Sequence, residues 1–138
     1  MCLYSKQQDW FVANSDIKCY KVLELKKKFL GIKKYHTPYR VMEVSRKIIS
    51  GKKDLIAEGE PVLRSVMLGN DIAYIVEGGA IHAYVGNREA YLNVYFHPLV
   101  RLEIFECIIP TGTKFMVGID GDICAEKIRF VKKFEKEQ

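Results

Sequence analysis

Alternation of apolar and polar side chains in short runs, broken every few residues by turn chemistry, is what most narrows the folds open to this chain. The nine-residue run Ile17-Lys18-Cys19-Tyr20-Lys21-Val22-Leu23-Glu24-Leu25 comes close to alternating and is rich in β-formers. Ile17, Cys19, Lys21, Leu23 and Leu25 share one face of the strand it predicts, with Tyr20 and Val22 on the other, because strand side chains repeat every second residue. Further runs predict strands at Val62–Leu68, Ile72–Val76, Ile81–Val85, Val100–Ile109, Lys114–Ile119 and Ile128–Phe134. Gly69-Asn70-Asp71, Gly78-Gly79, Thr111-Gly112-Thr113 and Asp120-Gly121-Asp122 supply the turns between them. One helix is expected over Arg88–Phe96, capped by Asn87 and ended by Pro98, with Ala90, Tyr91, Val94 and Tyr95 as its apolar stripe. Val41–Ile49 fits helix and strand equally. In residues 1–15, Trp10, Phe11 and Val12 are expected to dock onto the body. The fold class is therefore α+β: a single strand-rich domain over residues 1–138, mostly antiparallel, with one or two helices.

Bulk properties fit that reading. The 138 residues are 49% hydrophobic and 28% charged, which excludes a disordered or low-complexity chain. The longest uninterrupted apolar run, Ile72-Ala73-Tyr74-Ile75-Val76, is far short of the roughly 20 residues a membrane helix needs. The opening residues lack the basic and apolar regions of a secretory signal, so a cytoplasmic protein with no membrane partner is expected. Cys2, Cys19, Cys107 and Cys124 are scattered with no C-x-x-C pair, which argues against a zinc ribbon or a redox motif. Cys19 and Cys107 fall inside strand-like runs and are expected to be buried thiols.

Several classes of chemistry drop out on motif grounds. Gly51-Lys52-Lys53 lacks the rest of a phosphate-binding loop, and the glycine pairs match no dinucleotide fingerprint. There is no G-x-S-x-G, and no serine follows Ser65. Asp120-Gly121-Asp122 reads as a hairpin turn and not as a calcium loop. The three histidines are too dispersed to define a metal site, and no metal or cofactor is expected.

Candidate ligand-binding residues remain. His36, Tyr39 and Arg40 lie in one segment with planar and cationic groups suited to an anionic or planar ligand. Gly79 follows Gly78 and permits close backbone approach, and His82 and Tyr84 follow on the next strand. The net charge is +5, and Lys26, Lys27, Lys28, Lys33 and Lys34 cluster in the stretch up to Arg40, which reads as a turn followed by an extended segment. Basic residues interleaved with Phe29, Tyr35 and Tyr39 have the composition of a nucleic-acid contact, the bland alternative being a solvated loop.

Met1-Cys2-Leu3-Tyr4, Cys19-Tyr20-Lys21-Val22-Leu23, Thr37-Pro38-Tyr39, Gly79-Ala80-Ile81-His82-Ala83-Tyr84 and Cys107-Ile108-Ile109-Pro110-Thr111-Gly112-Thr113 resemble blocks of an uncharacterised family of small bacterial and phage-borne proteins. That resemblance implies a common fold unit and a microbial origin, with no activity attached. Glu106 through Phe115, an acidic residue before an apolar strand, Pro-x-Gly-Thr and an aromatic, is faintly similar to the late strands of ADP-ribosyltransferases. It implies a carboxylate site at Glu106. The chain departs from that pattern in having no Ser-Thr-Ser segment and no Gln/Glu-x-Glu, and in separating Glu103 from Glu106 by three residues, which sends them to opposite faces of a strand. The expected function is thus a non-catalytic binding module for an anionic, nucleotide-like ligand at His36, Tyr39, Arg40, Gly79, His82, Tyr84 and Glu106. An ADP-ribosyltransferase-like enzyme and a nucleic-acid-binding accessory protein are the alternatives, and the oligomeric state stays open.

Overall fold

The computed structural model describes residues 3–7, 9–29, 32–37, 43–95 and 101–135; Cys2, Pro38, Tyr39, Arg40, Phe96, His97, Pro98 and Val100 lie outside them. The elements are β1 (Leu3–Ser5), β2 (Phe11–Val12), β3 (Ile17–Phe29), β4 (Ile32–His36), β5 (Glu43–Val44), α1 (Arg46–Ile49), β6 (Leu55–Ile56) and β7 (Val62–Leu68). They continue with β8 (Asp71–Glu77), β9 (Ile81–Tyr84), α2 (Asn87–Tyr95), β10 (Leu102–Ile109), β11 (Lys114–Val117), β12 (Asp122–Ala125) and β13 (Lys127–Lys133). The chain is strand-rich, with two short helices and antiparallel pairing throughout the described residues. No helix among them is long and apolar enough to cross a membrane.

The larger sheet runs β2-β11-β12-β9-β3-β10-β13-β6, with β4 and β5 branching from β3. Its path nearly closes on itself. β12 and β13 are successive in the chain with only Glu126 between them, yet β12 pairs with β9 and β13 with β10. At that corner the Glu126 N–H donates to the Lys114 carbonyl, and the Ala57 N–H donates to the Glu126 carbonyl. The wrapped sheet encloses a core of Cys19, Leu23, Phe105, Cys107, Ile109, Ile123, Ala125, Ile128 and Phe130, among others. The face partition read from β3 holds: Cys19 and Leu23 point into this core, with Ile17 and Leu25 packed against it, while Tyr20 and Val22 point out.

Two satellites cover the outer face. Helix α2 lays Ala90 and Val94 on Tyr20, Val22, Tyr84 and Ile104; Tyr91, the third member of the expected stripe, is exposed. On the far side the small sheet β1-β8-β7 brings Leu3 and Val76 against Met116 and Cys124, with Trp10 packed alongside. Phe11 and Val12 are exposed and dock through strand pairing of β2 with β11.

The structure corrects the sequence reading at four places. Val41–Ile49 is split, with Glu43–Val44 a strand and Arg46–Ile49 a turn of helix capped by Ser45. Lys26–Phe29 is not a turn but the end of β3, paired with β4 as a hairpin. Asp122, read as part of a turn, opens a buried strand, Asp122–Ala125, that the sequence reading does not assign. Leu3–Ser5, for which the sequence reading predicts no strand, pairs with β8. These segments are too short for alternation to register, so the pairing partner decides them.

Candidate functional site

β10 covers β3 only as far as Glu24, which lies opposite Leu102. Leu25 still donates its N–H to the Arg101 carbonyl, and Tyr35 and His36 pair with β5, so it is residues 26–29 and 32–34 that form a two-stranded arm with no further strand paired to it among the described residues. Register in this arm is dictated by the hairpin: Lys27 stands opposite Lys34, and Lys28 opposite Lys33. The register therefore places four lysine positions on two successive rungs of the hairpin, a density of positive charge that suits an anionic partner. Lys26 and Lys34 are exposed, and Lys26 reaches Glu24 at 3.2 Å.

At the base of the arm lies a cluster that sequence reasoning did not assemble. Tyr35 points into the core and donates its hydroxyl to Glu103, which is 8% exposed. Lys33 and Lys133 approach the same carboxylate at 3.8 and 3.3 Å. Burial pushes the Glu103 carboxyl up, but the Tyr35 hydroxyl and the two ammonium groups outweigh it and hold the group below its ordinary value. The Tyr35 hydroxyl is pushed up, first by burial and then by the adjacent carboxylate. On the opposite face of β10, Glu106 meets Lys18 at 2.6 Å and Lys132 at 3.8 Å, and its carboxyl is lowered chiefly by the Lys18 hydrogen bond. The pleat thus separates Glu103 from Glu106, as their spacing requires. Each carboxylate is flanked by two lysines from neighbouring strands, so both faces of this region keep a positive excess.

Beside Glu103 runs a shallow groove of about 190 Å³, walled by Tyr91, Val94, Leu102, Ile104 and Phe134 with Lys133 at its edge. Ligand pockets usually fall between roughly 300 and 1,000 Å³, so this groove suits a single ring better than a dinucleotide.

The expected site residues do not gather at one place. His36 sits on β4 opposite Glu24 and Glu43, half-buried, with its Nδ1 buried. His82 faces Asp122 at 3.2 Å and meets the Tyr84 ring edge-on at 5.1 Å. Tyr84 is buried under α2 opposite Tyr20, and Glu106 lies on the other side of Tyr20 on β10. The close approach that Gly79 permits is made by the chain's own backbone: a Cβ there would lie 2.1 Å from the Pro61 nitrogen. Tyr39 and Arg40 fall outside the described residues. Cys19, Cys107 and Cys124 are free and buried, and burial raises all three thiols, Cys19 and Cys124 to about 12. The described residues hold no group of three or more His, Cys, Asp or Glu side chains placed to share a metal ion.

Lys21 was legible as an inward position but not as a problem. It lies 5% exposed among the core side chains, and its ammonium donates to the His82 carbonyl at 2.6 Å. β3 and β9 meet through Tyr20 opposite Tyr84, so the ammonium supplies a donor where the ladder between those strands gives out. Burial lowers its pKa to about 8, against the opposing pull of the Cys107 and Cys19 sulfurs.

No protein family, curated protein or solved structure matches this chain.

Proposed function

We propose that the protein is a non-catalytic binding module that grips the phosphate backbone of duplex nucleic acid with its β3–β4 arm. The observation that carries this reading is the register of the arm, which sets lysine opposite lysine twice in succession. A polyanion binding to such a run of lysines releases condensed counterions. A two-stranded ribbon also fits the width of a B-form major groove. The lysine surplus around Glu103 and Glu106 extends the positive field back toward the body. Contacts of this kind position the protein on phosphates and carry no base readout.

The test is fluorescence anisotropy with a labelled duplex across a salt series. Binding should weaken steeply with salt, and Lys28→Gln with Lys34→Gln should lower the log–log slope by about 2 for all sequences alike. Absence of binding at low salt, or a slope the double variant leaves unchanged, defeats the proposal.

A second reading keeps the nucleotide-like ligand, on the strength of the groove beside Lys133, whose Tyr91 and Phe134 would stack against one planar ring. Lys133 lines this groove, whereas His82 does not, so the discriminating substitution for a ligand here is Lys133→Gln. Nucleotide binding that Lys133→Gln weakens supports it; ADP-ribosyl transfer gains nothing from two carboxylates that are each held by lysines on opposite faces.

A further inference from the structure

The small sheet ends in an open edge. Its order is β1-β8-β7, and β7 has no strand on its outer side among the described residues. Soluble proteins usually blunt such an edge with lysine, proline, a bulge or brevity. β7, Val62-Leu63-Arg64-Ser65-Val66-Met67-Leu68, uses none of these: it spans seven residues without lysine, proline or a register shift. Its one charge, Arg64, is neutralised by Glu77 at 2.6 Å on the neighbouring strand. Met67 is 65% exposed, and Val62, Leu68 and Ile72 are exposed beside it.

The hairpin sets which backbone groups face outward. Leu68 and Asp71 close a two-residue loop, Gly69-Asn70, and the pair closing such a loop exchanges both hydrogen bonds. Leu68, Val66, Arg64 and Val62 therefore bond inward to β8, and Leu63, Ser65 and Met67 present N–H and C=O groups to the open side. Those three are symmetric about Ser65.

We propose that β7 is a self-association edge, pairing antiparallel with β7 of a second copy about a two-fold axis at Ser65. In that register Ser65 meets its own copy, and Leu63 meets Met67 of the second copy on the same face. On the other face Val62 meets Leu68, and Arg64 meets Val66. Leu63–Met67 and Val62–Leu68 match apolar with apolar, and Arg64, which falls opposite Val66, keeps its charge paired to Glu77 of its own copy. This is why a second copy, and not an arbitrary peptide, fits the edge: an isologous contact needs a self-complementary strand, and this one is. The product is a continuous sheet of β1-β8-β7 from each copy.

Sedimentation velocity over a concentration series tests it. The wild-type mass should rise from 15.9 kDa toward twice that value. Met67→Lys, at an exposed edge position, and Ser65→Pro, which deletes an outward N–H without touching the β8 ladder, should each hold the mass at the monomer. Val131→Lys, the same charge change at an exposed position on β13, should leave association intact. A wild-type protein that stays monomeric at millimolar concentration overturns the proposal. So does a dimer that persists in Met67→Lys, whose thermal unfolding reports whether its fold is unchanged.

Discussion

Replacing Lys21 by Met exchanges a buried ammonium for an apolar chain of similar length, and the consequence can be worked from the structure. A displacement of the amine from 10.5 to about 8 means the native interior disfavours its charged form by about 3 kcal/mol relative to water. Lys21→Met removes that penalty but also removes the charged hydrogen bond to the His82 carbonyl, worth about 1.5–3 kcal/mol. At pH 7 the variant should therefore match or exceed the wild type in stability. The pH dependence is sharper than the net value. Because the native pKa lies below the unfolded one, the unfolded chain holds a proton that the native chain has lost between pH 8 and 10.5, so wild-type stability gains with pH there. Below pH 8 both states are protonated and the penalty is constant. The buried thiols act oppositely from about pH 9 upward, since their native pKa values are raised, but they are common to both proteins and cancel in the difference. The gap between variant and wild type should then narrow by about 1 kcal/mol from pH 7 to pH 9. Urea unfolding followed by the fluorescence of Trp10, under reducing conditions, measures it. A gap that stays flat across that interval refutes the account of Lys21 as a desolvated ammonium.

Gly79→Ala should destabilise the fold by about 2–4 kcal/mol, because the new Cβ enters the Glu60–Pro61 backbone at a residue whose φ is +59°. Gly112→Ala, with φ +85° and open space around it, should lose only about 1 kcal/mol in the same denaturation assay; equal losses would show that the clash is not the cause. A thiol reagent should label Cys19 and Cys107 only after denaturation, since both are fully buried with raised pKa values; native-state labelling followed by mass spectrometry checks this, and fast modification would contradict the core assignment.

The parts of this protein that its sequence determined are those set by neighbours a few residues apart. The pleat makes side-chain direction a matter of parity, so Ile17–Leu25 could be split into an inner and an outer face, and Glu103 separated from Glu106, without knowing what either face meets. Gly69-Asn70 limits the chain to a tight reversal, so Val62–Leu68 and its partner were legible together. Which strands lie side by side is a different matter. The partners of β10 come from residues 17–24 and 129–133, and nothing local in β10 selects them. That choice decides that Glu103 gathers Lys33, Tyr35 and Lys133, that the lysine-rich segment becomes an arm with lysine opposite lysine, and that Gly79 is occupied by the chain itself. It also decides that Lys21, placed inward by parity like Cys19 and Leu23, finds the His82 carbonyl beside the short β3–β9 pairing. Parity is local and therefore written in the sequence; adjacency comes from the sheet closing around a shared core, and only the tertiary structure sets it.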